Sequence, residues 1–213
     1  MESTLATKAL VMLVAPSAMG KSTIMNEVVR LDSRFARVRS FTTRLPRAND
    51  EPGQYIYLTK DKLVKERSHG VVVSETTFPT TGQTYGTLCT SYSGDFCLLD
   101  TLANSVDEYR SLPFQATKTI SLTAEPEQWR EWFVDRFPDS GSYDAVKRLE
   151  EARLSIEWSL ADPETTWLVN GDSPAVVADR LVHLALGDIP SDPSGPDCAR
   201  GVLQLIQEGN LWR

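Results

Sequence analysis

An α/β fold with a parallel core sheet is predicted by three features at the start of the chain. Ala9–Val14 is an unbroken aliphatic run of the kind that forms a buried strand, and Ile24, Val28, Val29 and Leu31 recur afterwards at helical spacing. Between them, Ala15-Pro-Ser-Ala-Met-Gly-Lys-Ser-Thr23 fits G-x-x-x-x-G-K-[ST], with Ala15 at the first glycine. The succession of strand, loop and helix is the context in which such a loop cradles a polyphosphate. Successive backbone N–H groups point inward, and the following helix presents its positive end. Ala15, Pro16, Ser17, Ala18, Met19, Gly20, Lys21, Ser22 and Thr23 are therefore candidate nucleotide ligands. Lys21 would neutralise the β- and γ-phosphates, and the Ser22 hydroxyl would ligate a bridging Mg2+. A methyl group at Ala15 is tolerated where φ is negative, whereas Gly20 stands next to the phosphates.

The chain has 213 residues and a formal charge of −7, enough for one α/β domain with a small inserted subdomain. The acidic balance argues against nucleic-acid binding. Three cysteines and two histidines show no metal-ligand spacing. The odd cysteine count and an N-terminus unlike a signal peptide lead to the expectation of a cytoplasmic protein. No apolar run reaches membrane-spanning length.

Residues 35–41 alternate like a strand and feed into Thr42-Thr-Arg-Leu-Pro-Arg47. Two arginines around a proline suit a second anion site, because guanidinium forks grip phosphate oxygens and proline fixes the backbone between them; a solvated basic turn is the alternative. Ser40-Phe-Thr-Thr-Arg-Leu-Pro-Arg47, Gly53-Gln-Tyr-Ile-Tyr57 and Tyr85-Gly-Thr87 follow the phosphate loop in order. In this set the chain resembles the guanylate kinase family as far as about residue 180. The resemblance implies a P-loop three-layer fold with a parallel core sheet, a small β-rich acceptor-binding insertion and a helical lid. It further implies that Ser40, Arg44, Arg47 and Tyr55 hold the acceptor phosphate with help from Tyr85, and that Glu75 and Thr87 contact guanine. A carboxylate suits that base, since it accepts from the guanine N1–H and N2 amino group but cannot do the same for adenine.

On this reading the guanylate-kinase-like domain is 1–187, with its core at about 1–40 and 88–187 and the insertion at about 41–87. The insertion has short strands at 55–58, 71–77 and 83–88 and a helix at 61–67. Residues 88–95 are too short and turn-rich for the full helix that the family carries there. Strand 96–100 ends in Asp100, placed to manage the metal with Ser22. Leu102 stands where the family shows a second, guanine-reading aspartate. Helix 105–112, strand 117–123 and helix 126–136 come next, with Trp129, Trp132 and Phe133 read as packing in preference to base stacking. A Pro/Gly/Ser loop at 137–142 separates Arg136 from Arg148, and the resemblance makes these the lid arginines, with the lid at about 130–148. Strand 166–169 leads to Asn170, similar to the family's adenine-contacting asparagine, then to helix 174–186. Residues 188–213 read as a linker and a helical tail beginning near Ala199, open to packing, homodimer contact or partner docking.

The expected activity is transfer of the γ-phosphoryl of ATP, with Mg2+, to GMP or dGMP, with Lys21, Arg44, Arg136, Arg148 and Asp100 in the catalytic set. Two alternatives stand beside it. One is a related small-molecule kinase acting on a modified deoxynucleotide or a ribose bisphosphate; the other is a non-catalytic interaction domain of the same fold.

Overall fold

The computed structural model describes residues 2–47, 50, 53, 55–78, 81–209 and 211–212. In chain order the first elements are α1 (Glu2–Leu5), β1 (Ala9–Val14), α2 (Lys21–Leu31), β2 (Phe35–Arg37), β3 (Ser40–Thr42), β4 (Tyr55–Tyr57), α3 (Lys60–Ser68), β5 (Val72–Phe78) and β6 (Gln83–Leu88). They are followed by β7 (Phe96–Asp100), α4 (Val106–Arg110), β8 (Ala116–Thr123), α5 (Pro126–Arg136), α6 (Tyr143–Ala161), β9 (Thr165–Val169), α7 (Pro174–Leu186) and α8 (Gly195–Glu208). A five-stranded parallel sheet has the order β2-β7-β1-β8-β9, and a four-stranded sheet has the order β4-β3-β6-β5.

β1 is central in the larger sheet because its side chains from Leu10 to Val14 are almost wholly buried, as suits a strand covered by helices on both faces. The chain leaves β1 towards β2 at one edge, whereas β8 and β9 lie on the other side. The loop after β1 therefore opens at the switch point of the sheet, where α/β proteins bind ligands.

The backbone divides into two compact units, one comprising residues up to Leu10, Arg34–Leu99 and Asp107–Thr117, the other Val11–Ser33, Asp100–Val106 and the chain from Lys118 onward. Within the first unit, β3 runs parallel to β4 and antiparallel to β6, and β5 runs antiparallel to β6. Phe41, Leu58, Leu63 and Leu88 form the core behind this sheet. The expected single strand at 35–41 is two strands in two sheets. Val38 still donates to the Leu98 carbonyl (2.8 Å), but exposed Arg39 belongs to neither strand, and Phe41 enters the smaller core. The segment after β6 forms only a 3-10 turn at Cys89–Ser91, in line with its turn-rich sequence.

In the second unit α2 packs against α7, and the helix ends follow local chemistry. The Ser142 hydroxyl accepts from the Ala145 N–H (3.2 Å) at the start of α6, and left-handed Gly187 (φ 84°) ends α7. The stretch expected as a linker instead covers β9, an edge strand of its sheet. Ser191 Oγ accepts from Trp167 N–H (2.8 Å), Asp192 Oδ2 accepts from Val169 N–H (2.6 Å), and Asp192 N–H donates to the Trp167 carbonyl (3.0 Å). Exposed edge N–H groups otherwise invite pairing with other chains, so this cover is structural. α8 begins at Gly195, earlier than the expected Ala199, and buries Cys198, Ala199 and Val202. Burial pushes both the Cys97 and the Cys198 thiols up to about 11.

A Cβ at Gly195 would collide with the Trp167 side chain, and one at Gly201 with Pro126. Gly195→Ala is expected to cost about 1–3 kcal/mol by overpacking, read as a lowered denaturation midpoint; an unchanged midpoint would show that α8 is not part of the cooperative unit.

Candidate functional site

The loop from Ala15 to Gly20 is built to a fixed shape. Gly20 is the N-cap of α2 with φ 81°, a conformation that glycine alone adopts at no steric cost. A Cβ there would also stand 3.0 Å from the Asn170 amide nitrogen. Ala18 has φ 67°, the left-handed region in which a methyl group is strained by about 1–2 kcal/mol. Three side chains tie down alternate carbonyls of the loop. Lys21 Nζ donates to Ala15 O (2.7 Å), Trp129 Nε1 to Ser17 O (3.0 Å), and Asn170 Nδ2 to Met19 O (3.1 Å). Lys21 Nζ also lies 3.5 Å from the Asp100 carboxylate at the end of β7.

Beside the loop is a cavity of about 290 Å³ lined by Ala18, Gly20, Thr23, Ile24, Trp132, Asn170, Asp172 and Pro174. The sequence placed Trp129, Trp132 and Phe133 together as packing residues. Trp129 and Phe133 are fully buried, but Trp132 lines the cavity. Its helical spacing from two core residues favoured packing over base stacking, and nothing in the pattern marked Trp129 as a loop-holding donor. Ser22 and the partly exposed Asp100 offer a hydroxyl and a carboxylate near Lys21. Hard oxygen donors of this kind, few in number, suit Mg2+ held mainly through phosphates.

The expected acceptor residues gather in the first unit. Ser40 pairs with Tyr55 and Thr42 with Tyr57 along β3 and β4, while Tyr85 lies opposite Thr42 on β6. The Arg44 guanidinium sits 4.9 Å over the Tyr55 ring and 5.8 Å from that of Tyr57, and Tyr55 meets Tyr85 edge-on at 6.2 Å. Arg44 is only 7% exposed, and Asp50 compensates its charge. Both guanidinium nitrogens donate to the Asp50 carboxylate (2.6 Å each), as do the Tyr57 hydroxyl (2.6 Å) and the Arg47 N–H (2.7 Å). Asp50 was not singled out from the sequence; its place three residues after Arg47 is the only signal. The Arg44 fork, then the Tyr57 hydroxyl, hold the Asp50 carboxyl well below the usual range. The Arg47 side chain is exposed.

Glu75 and Thr87 are not brought together. Glu75 lies opposite Gly86, and Thr87 opposite Ser74, so the pleat directs Glu75 to one face and Thr87, with Tyr85, to the other. Both Glu75 oxygens accept from Arg67 (2.8 and 2.9 Å). Thr87 is fully buried, with its hydroxyl 2.8 Å from that of Tyr92 and 3.3 Å from that of Tyr109. Burial raises both phenol pKa values. In the second unit, Arg136 ends α5 exposed, with its guanidinium 5.6 Å from the Phe137 ring, whereas Arg148 donates to Glu151 (2.5 Å) on α6. Leu102 is exposed. Among the described residues, no helix is long and apolar enough to cross a membrane.

No family model matches the chain. It is 30% identical over 179 residues to guanylate kinase of Chlorobium chlorochromatii, covering 80% of this chain and 90% of that one. It is 29% identical over 117 residues to guanylate kinase of Bdellovibrio bacteriovorus, covering 53% and 63%. A crystal structure of guanylate kinase from Anaplasma phagocytophilum shares the fold, with a TM-score of 0.56 at 16% identity over 85% of each chain.

Because its folded-state pKa is depressed, Asp50 contributes stability that is complete above its unfolded value near pH 4 and is lost as the pH falls through the folded value. Asp50→Asn is expected to flatten the acid limb of stability below about pH 4. Urea midpoints at pH 7 and pH 3 check this, and equal acid sensitivity in both proteins would remove Asp50 from the linkage.

Proposed function

Since the chain belongs to the guanylate kinase family, we propose that it transfers the γ-phosphoryl of Mg2+-bound ATP to the phosphate of a nucleoside monophosphate, with GMP or dGMP as acceptor. The observation that carries the reading is the phosphate loop itself. Its carbonyls are pinned by Lys21, Trp129 and Asn170, and the Lys21 ammonium stands beside Asp100. A loop held in one shape needs no reorganisation when charge shifts during transfer, which is where most of the stabilisation of such a reaction lies.

An acceptor phosphate is already an ionised nucleophile at neutral pH. The chemistry then asks for alignment and charge neutralisation, with no covalent intermediate. Lys21 would bind the β- and γ-phosphate oxygens. Ser22 and Asp100 would hold Mg2+, which offsets negative charge on the bridged phosphates. Trp132 offers an aromatic wall to the donor base in the cavity that Asn170 and Asp172 also line. Arg44, held by Asp50 and covered by Tyr55 and Tyr57, would contribute positive charge toward the acceptor phosphate, with Ser40, Arg47 and Tyr85 alongside. Arg136 and Arg148 would bring further positive charge from the lid. The guanine preference rests on the activity named for the relatives.

Lys21→Met should lower kcat at least about a hundredfold while leaving the thermal midpoint within a few degrees. Undiminished turnover would sink the mechanism. ADP formation measured across GMP, dGMP, AMP, dTMP, dCMP and ribose 1,5-bisphosphate should be fastest with the guanine nucleotides, and a faster rate elsewhere would reassign the acceptor.

A further inference from the structure

We propose that Trp212 is a positioning residue for the lid, acting through the main chain of Phe137. Phe137 follows Arg136, the last residue of α5, and precedes Pro138, so it is the point where the chain leaves the helix for the 137–142 loop. Its N–H donates to Phe133 O (2.9 Å), which completes the helix. Its own carbonyl is one of those that a helix end leaves without an intrahelical partner. The Trp212 indole N–H takes that carbonyl at 2.8 Å.

The indole is itself well anchored. Its ring meets Phe133 edge-on at 5.9 Å, and Phe133 in turn packs on Phe137 at 4.9 Å. The neighbouring Leu211 is fully buried, and its carbonyl accepts from Arg130 of α5 (3.3 Å). α8 delivers this segment by lying against both α5 and α6, the two helices that flank the loop. Left-handed Gly209 (φ 67°) ends α8 and turns the chain back towards α5.

The consequence concerns Arg136, whose guanidinium lies 5.6 Å from the Phe137 ring. Rotation about the Phe137 backbone is the simplest way for the loop to swing. The residue before a proline has few conformations available, and a hydrogen bond on its carbonyl narrows them further. Trp212 therefore fixes the point from which the loop between Arg136 and Arg148 departs, and with it the path along which that loop can carry positive charge to a transferring phosphoryl group. This role rests on the kinase reading given above, although the contact itself does not.

Trp212→Phe keeps the ring and removes only the N–H donor. In the 213-residue chain, amide hydrogen exchange over residues 137–142 is expected to rise about fivefold, the factor for one neutral hydrogen bond, with α7 unchanged. With ATP and GMP, kcat should fall several-fold while the KM values for both move less than twofold. Unchanged exchange overturns the proposal, and so does raised exchange with an unmoved kcat. A parent protein that phosphorylates none of the acceptors counts against the kinase reading alone, and the exchange measurement still decides whether Trp212 holds the hinge.

Discussion

The backbone between β1 and α2 must keep one shape without a ladder of regular hydrogen bonds to hold it, and the donor side of the protein depends on how that is achieved. The carbonyls of Ala15, Ser17 and Met19 are each held by a side chain, from α2, from α5 and from the turn after β9. A buried carbonyl left without a donor costs about 1–3 kcal/mol, so each contact matters to the loop's conformation as well as to its binding. Distant parts of the chain thus converge on the phosphate loop. Ala18 shows the same constraint from the other side: it holds a left-handed backbone that its own methyl group disfavours.

Compensation of a buried cation plays the corresponding part in the first unit. A guanidinium as enclosed as that of Arg44 is tolerated only when a counter-charge and hydrogen-bond acceptors surround it. Asp50 supplies both, and the faces of Tyr55 and Tyr57 cover the guanidinium plane. Two guanidinium N–H groups, a phenol and a main-chain N–H converge on one carboxylate, an arrangement suited to oxyanions in general. The Arg44 guanidinium is therefore held in one orientation by Asp50, and the conformational cost of ordering it is already met in folding.

The parallel sheet, the inserted small sheet and the helices at 126–136 and 174–186 were legible in the sequence because each has a strong period and clear punctuation. Less legible were features set by pairing across the chain. Residues 35–41 alternate cleanly, yet alternation cannot show that Arg39 is where one sheet ends and another begins. The motif Tyr85-Gly-Thr87 marks a real hairpin strand, but only its register with β5 shows that Glu75 projects from the other face. Gly86 fits that register for a local reason, since a Cβ there would strike the Ser74 carbonyl and the Phe41 ring. Asp50 was not singled out and Trp132 was read as packing because an acidic residue in a turn and an aromatic residue on a helix are both common, and only contacts distinguish their roles.

The segment after α7 shows how composition can mislead about structure. Pro, Ser, Asp and Gly are rich in 187–196, and short side chains within it reach the main chain of an edge strand. Ser191 and Asp192 do this for β9, while the Arg180 guanidinium pairs with the Asp192 carboxylate. The glycines serve close approach, since α8 can lie on Trp167 and Pro126 only where no Cβ intervenes, at Gly195 and Gly201. A linker and a packed edge share the same residue types, and what separates them is whether the polar groups find partners in the fold. Here they do, which makes the stretch beyond α7 part of the second unit's architecture and places Trp212 where it can reach the end of α5.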